Sequence, residues 1–175
     1  MDLSKYIRAI PDFPEKGIVF RDVTTLFADP NAFSYMIRQF QTKWSEFKIH
    51  KIAGIDARGF IIGGALAHHL GVGFVPLRKK GKLPHKTISE GYSLEYGEAT
   101  LELHIDAFKP KENVLIIDDL IATGGTIIAA VNLVKKLKAN VIGCSFLVDL
   151  PDLGGSKLLK DLDIVTHSLC SFDGV

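Results

Sequence analysis

Val114-Leu115-Ile116-Ile117 is an unbroken apolar run, and two aspartates, Asp118 and Asp119, close it. Apolar residues without alternation mark a strand covered on both faces, as in a parallel sheet wrapped by helices. The flanking patterns agree. Asp29 is a good N-cap and Pro30 a good first helical residue. Phe33, Ile37, Phe40, Trp44 and Phe47 then recur at three- and four-residue steps, which predicts an amphipathic helix over about 30–47. Short apolar runs at 49–55, 73–77, 141–148 and 164–169 read as further strands. Helices are expected at about 60–70 and 125–138, the second with Ile127, Val131, Val134 and Leu137 on one face.

This alternation predicts an α/β fold: a parallel twisted sheet flanked by helices. Ligands in such sheets sit beyond the carboxyl ends of the strands. The segments 56–59 and 118–126 each follow a strand and precede a helix, so both are expected on that edge. Two stretches depart from the alternation. Residues 3–10 read as a short helix stopped by Pro11, followed by turns. Residues 93–107 read as a β-hairpin projecting from the sheet. With no repeat, low-complexity tract or long linker, 1–175 reads as one domain.

Bulk composition narrows the function. Lys+Arg is 21 against Asp+Glu 20, a balance that speaks against a general nucleic-acid binder. No apolar run reaches the ~20 residues of a membrane helix, and the N-terminus has no signal-peptide core, so no membrane role is expected. Cys144 and Cys170 lie in apolar stretches without CxxC spacing and read as buried thiols. A reducing cytoplasm is the corresponding default. His68-His69 has no carboxylate or cysteine at metal spacing, so no metal ligands are assigned to the protein.

The chemistry concentrates after Ile117. Two adjacent aspartates at a strand end suit a pair of vicinal hydroxyls. Ala122-Thr123-Gly124-Gly125-Thr126 offers small side chains, two hydroxyls and successive backbone N–H groups at a helix start, which suits a phosphate. Together they fit a ribose 5-phosphate. The competing explanation is a tight strand-to-helix turn with a capping Thr. Neither GxxxxGK[ST] nor a helix-opening GxGxxG is present.

The 114–126 segment resembles the signature of the type I phosphoribosyltransferases. Pro11-Asp-Phe-Pro14, Gly17-Ile-Val-Phe-Arg-Asp22, Gly54-Ile-Asp-Ala-Arg-Gly-Phe60, Arg78-Lys-Lys-Gly-Lys-Leu-Pro84 and Tyr92-Ser-Leu-Glu-Tyr-Gly97 extend the likeness over about 10–150, toward the members that use adenine. The resemblance implies transfer of the 5-phosphoribosyl group from phosphoribosyl pyrophosphate to N9 of adenine, giving AMP and pyrophosphate. It implies Mg2+ held mainly by the substrate, a homodimer, a small N-terminal hood (about 1–30) and a flexible catalytic hairpin (about 90–107).

The same likeness implies roles for individual residues. Asp118, Asp119 and Ala122 to Thr126 (Ala122, Thr123, Gly124, Gly125, Thr126) would hold ribose and 5-phosphate. Asp56, Ala57, Arg58 and Gly59 would face pyrophosphate, with a non-proline cis peptide between Asp56 and Ala57. Arg78, Lys79 and Lys82 would approach the same group, Arg78 by reaching the neighbouring subunit. Phe20 would stack on adenine, the backbone of Val19 and Arg21 would read its N1/N6 edge, and Leu120 would close the opposite face. Glu95 would take the proton from N7 as N9 is glycosylated, Tyr96 would shield the centre, and Arg58 would share in catalysis. His85 reads as a variable loop residue.

Two rival functions differ in what they need. A hypoxanthine, guanine or xanthine enzyme is expected to read the 6-oxo group with a side-chain donor, whereas Val148-Asp149-Leu150 offers no lysine. A regulator that binds phosphoribosyl pyrophosphate without turnover needs a DNA-reading module, and none is appended.

Overall fold

A computed structural model describes residues 1–94 and 97–173. The chain opens with a 3-10 turn, Leu3–Tyr6, not the helix expected over 3–10. Strand β1 (Arg8–Pro11) then pairs antiparallel with β2 (Val19–Asp22). Leu3 and Ile7 do face the core at a helix-like spacing, but the next residues find a partner strand. Asp22 fixes that pairing. Its Oδ2 accepts from Arg8 Nη2 at 2.8 Å, and its Oδ1 accepts from Thr24 N and Oγ1 at 3.0 and 2.6 Å. These bonds, the Thr24 hydroxyl foremost, hold the Asp22 carboxyl below its ordinary range.

Helices α1 (Thr24–Ala28) and α2 (Pro30–Trp44) follow. Asp29 caps α2 through Asn31 N and Ala32 N, as its sequence predicts, and Pro30 occupies the first turn. The remaining order is β3 (Lys51–Ile55), α3 (Arg58–Leu70), β4 (Gly73–Lys79), β5 (Thr87–Leu94), β6 (Gly97–His104), β7 (Asn113–Ile121), α4 (Gly125–Lys136), β8 (Asn140–Asp149), a 3-10 turn at Pro151–Leu153, α5 (Gly155–Asp161) and β9 (Thr166–Ser171).

The main sheet has the order β5-β6-β4-β3-β7-β8-β9. Strands β4, β3, β7, β8 and β9 run parallel, as the alternation requires. The β5–β6 hairpin is antiparallel and starts at Thr87, six residues before the expected point. Its ladder with β4 is short, Arg78↔Glu102 and Lys79↔Leu101, and continues past that strand as Lys80 N donates to the Thr100 carbonyl at 3.1 Å.

The unbroken apolar run behaves as its composition demands. Val114 and Ile116 pack with Val131 and Val134 of α4 on one face. Leu115 and Ile117 pack with Met36, Phe40, Ile62 and Leu66 of α2 and α3 on the other. Trp44 Nε1 donates to Ser145 Oγ at 2.7 Å with both residues fully buried. Each partner satisfies the polar group of the other, so the bond matters more than its net energy. Cys144 and Cys170 are both buried and free. Among the described residues no helix is long and apolar enough to cross a membrane.

Candidate active site

Adjacent parallel strands β3 and β7 deliver their following segments to one edge, and a cleft of ≈ 650 Å³ opens there. Strand β7 continues through both aspartates to Ile121, so Asp118 and Asp119 sit on a strand extension and not in a loop. The true turn is Ala122 to Gly124. Gly124 takes φ 93°, a value that favours glycine, and starts α4. No side chain among the described residues caps α4 or α3, so first-turn N–H groups of both helices lack such a partner.

Asp119 is 4% exposed. Arg58 Nε lies 2.9 Å from its Oδ2, yet among the described residues that oxygen has no hydrogen-bond partner. The contact is therefore an ion pair with poor N–H alignment, and an acceptor remains available. Asp118 Oδ1 accepts from Asp119 N at 2.9 Å. Burial first, and then the neighbouring Asp119 charge, raise the Asp118 carboxyl well above the ordinary carboxylate range. Burial raises Asp119 as well, while Arg58 pulls against it. One guanidinium thus faces two carboxyls.

The same cleft is walled by the N-terminal ribbon. Val19, Phe20 and Arg21 of β2 line it, together with Ile18 and Pro14. Phe13 packs its edge on Phe20 with ring centroids 5.3 Å apart, and the Arg58 guanidinium lies 5.6 Å from the Phe20 ring centroid. The Arg21 side chain is engaged elsewhere, 4.2 Å over the ring of Phe172.

Most of the sequence-selected residues converge. Asp56, Ala57, Arg58, Lys79, Asp118, Asp119, Leu120 and the whole of Ala122 to Thr126 line the cleft. The peptide between Asp56 and Ala57 is cis. Three selected residues do not line it. Gly59 lies behind the wall, where a Cβ would stand 2.7 Å from the Ile117 carbonyl oxygen. Arg78 donates through Nε to Asp56 Oδ2 at 3.1 Å and through Nη1 to the Lys82 carbonyl at 3.2 Å. Lys82 itself is exposed. Glu95 and Tyr96 lie outside the described residues.

Sequence reasoning missed several lining residues. Tyr92 and Ala99, opposite each other in the hairpin, form one wall, and Leu150 and Leu153 form part of another. Tyr92 is close to the hairpin segment already singled out, whereas nothing local marks Leu150 or Leu153. The turn carrying them also props the Ala122–Gly124 turn. Gly155 N donates to the Ala122 carbonyl at 2.9 Å, and Leu150 N donates to the Ile121 carbonyl at 3.1 Å.

Comparison with known proteins bears directly on this arrangement. The family model described as "Phosphoribosyl transferase domain" matches residues 23–170. Adenine phosphoribosyltransferase of Dinoroseobacter shibae is 61% identical over 172 residues, covering 98% of this chain and 96% of that protein. The crystal structure of adenine phosphoribosyltransferase from Rhodothermus marinus superposes with a TM-score of 0.91 at 48% identity, covering 97% and 96% of the two chains. The Saccharomyces cerevisiae enzyme, solved with D-2,5-dideoxy-2,5-imino-altritol 1,6-bisphosphate and adenine, gives a TM-score of 0.89 at 38% identity, with 96% of each chain covered.

Proposed function

The chain belongs to the phosphoribosyltransferase family, in the group that uses adenine, and from that premise we infer a reaction and a division of labour among its residues. It transfers the 5-phosphoribosyl group from phosphoribosyl pyrophosphate to N9 of adenine, releasing pyrophosphate and AMP. One observation carries the assignment of the sugar site: a buried carboxylate oxygen of Asp119 without a hydrogen bond stands in the same cleft as the uncapped start of α4. A vicinal diol supplies the missing donors, and a 5-phosphate accepts from the first-turn amides.

In this reading adenine N9 attacks C1 of the sugar as the C1–pyrophosphate bond breaks. The leaving group is rich in negative charge, so Arg58, Lys79 and the first-turn amides of α3 face it. Phe20 stacks on adenine and Leu120 covers its other side. Backbone parity supports edge reading by Val19 and Arg21. The Ile18 carbonyl accepts from Phe13 N, and Pro11, opposite Val19, has no N–H to give β2. Alternation then turns the N–H and C=O groups of Val19 and Arg21 to the free edge of the ribbon. Glu95 takes the proton displaced through N7, and Tyr96 shields the centre.

Mg2+ would be held mainly by the substrate. It is a hard cation that takes oxygen ligands, and the Asp118 and Asp119 carboxyls are oxygen donors that fit contact with it or its waters. When bound it neutralises charge on the departing pyrophosphate. The homodimer is part of the same reading. Ile61 on α3 is 48% exposed one turn beyond Ala57, an apolar residue on a helix that a second subunit would cover. Arg78 then leaves Asp56 and the Lys82 carbonyl and reaches the partner's pyrophosphate, while Lys82 approaches pyrophosphate from its exposed turn. A cytoplasmic location belongs to the same reading, and two free, buried thiols support it.

The test is turnover with adenine, guanine and hypoxanthine in turn, each with phosphoribosyl pyrophosphate and Mg2+. AMP forming at a kcat/KM well above that of the other nucleotides is the expected result. Preference for a 6-oxopurine overturns the base assignment. Glu95→Gln is expected to lower kcat about a hundredfold, and unchanged turnover removes the proton role. Sedimentation at micromolar concentration checks the dimer.

A further inference from the structure

Strand β5 lies along helix α4 and is fastened to it at one place. Glu90 Oε1 accepts from Asn132 Nδ2 at 2.9 Å, and Glu90 Oε2 accepts from Lys136 Nζ at 2.5 Å. Lys136 Nζ also donates to the Ser89 carbonyl at 3.1 Å. The Glu90 side chain is 22% exposed and that of Lys136 48%, so solvent still screens the ion pair and its worth lies in placing β5 more than in net energy. Its two donors hold the carboxyl below the ordinary range, Lys136 foremost. None of the three side chains lines the cleft.

The fastening has a consequence one strand-length away. From Glu90 to Ser93 an extended chain advances about 10 Å. From Asn132 back to Gly125 a helix advances about 10 Å as well. The two advances match, and the far end of the match is the anion-facing turn. There a Cβ on Gly125 would stand 2.7 Å from the Ser93 carbonyl oxygen and 3.5 Å from Tyr92 Cδ2. Tyr92 and Ala99, paired across the hairpin, form a wall of the cleft at that point. The hairpin's ladder with β4 is two residue pairs long and belongs to β6, as do the buried Leu101 and Leu103, whereas β5 itself lies against α4.

We propose that Glu90, with Asn132 and Lys136, is a positioning group for the reaction: it sets the register of β5 on α4 and thereby seats the Tyr92–Ala99 wall against the sugar-phosphate site. This rests on the reading of the α4 start as the 5-phosphate site.

The experiment compares Glu90→Ala, Lys136→Met and the charge swap Glu90→Lys with Lys136→Glu in the full chain. Each is measured for Tm, for KM and kcat with either substrate varied, and for amide hydrogen exchange over 87–94 without ligand. Glu90→Ala is expected to lower kcat/KM for phosphoribosyl pyrophosphate by about ten- to a hundredfold, the penalty of a small misplacement. KM for adenine stays near wild type, because β2 is untouched. Exchange over 87–94 accelerates, and the swap restores most of the activity. Lys136→Met, on an exposed side chain, is the milder variant and shows the same split at smaller size. Wild-type kcat/KM in both single variants, a loss that only tracks Tm, or equal losses for both substrates overturns the proposal. Wild-type protein that makes no AMP sinks the functional reading instead, and the exchange result then still decides whether the fastening sets the register.

Discussion

Replacing Gly155 with alanine puts a methyl where backbone already stands. The added Cβ would lie 2.4 Å from the Ala122 carbonyl oxygen, 2.8 Å from Ile121 Cγ1 and 2.9 Å from Gly124 N. The Ile121 side chain can swing aside, but the other two atoms belong to the turn that opens α4. Restoring ordinary contact requires an opening of about 1 Å, which stretches the 2.9 Å bond from Gly155 N to the Ala122 carbonyl. Overpacking of this kind costs about 1–3 kcal/mol. For a chain of this size that lowers Tm by about 2–12 °C. The displaced atoms face the proposed phosphate site, so kcat/KM for phosphoribosyl pyrophosphate is expected to fall by up to about a hundredfold, while KM for adenine holds. Thermal melts and steady-state kinetics with each substrate varied read both effects. An unchanged Tm refutes the steric argument. A lowered Tm with unaltered phosphoribosyl pyrophosphate kinetics refutes the claim that residues 150–155 support the anion site.

Three further outcomes follow from geometry already described. Asp118→Asn removes a carboxyl that burial keeps protonated to higher pH in the folded chain than in the unfolded one. Stability from such a group is full below the unfolded carboxylate range and is lost as pH rises through the raised native value. The variant is therefore expected to melt higher than wild type at pH 8, with the gain shrinking toward pH 4, while activity drops; a gain that grows on acidification contradicts the sign. Phe20→Ala removes a stacking surface and is expected to raise KM for adenine about tenfold or more, leaving KM for phosphoribosyl pyrophosphate near wild type in the same assay. Trp44→Phe strands the buried Ser145 hydroxyl and costs about 1–3 kcal/mol in denaturant unfolding, with kcat/KM unaltered, because neither residue borders the cleft.

Strands buried on both faces and helices with one apolar stripe announced themselves, because their residue patterns answer to local periodicity. The segment proposed to hold the phosphate was legible for another reason. Two aspartates after Ile117 and five small residues before Ile127 are poor choices for a core and good ones for a polyol and a phosphate. The failures share a cause. Leu3, Ile7 and Ile10 fall at helical spacing, but Arg8 to Pro11 pair with Val19 to Asp22, a tertiary choice that no window of ten residues contains. Thr87 to Ser93 carries Ser, Glu and Gly in a row without alternation, so the first half of the hairpin was invisible until its partner strand was placed. Leu150 to Gly155 reads as an ordinary turn. Its part in the site comes from lying beside Ala122 and Gly124, some thirty residues earlier.

Arg21 rests on Phe172, and the opening 3-10 turn packs near β9, so the first-made part of the chain is seated by the last. Strands β3, β4, β7 and β8 and helix α4 all precede residue 150, some twenty residues ahead of Phe172. A chain made only that far already holds both aspartates and the α4 start, while Arg21 still lacks its ring partner. Closing a loop of roughly 150 residues is slow compared with local pairing. On the proposed reading, the sugar-phosphate half of the cleft rests on contacts closer in sequence than those that seat the base half.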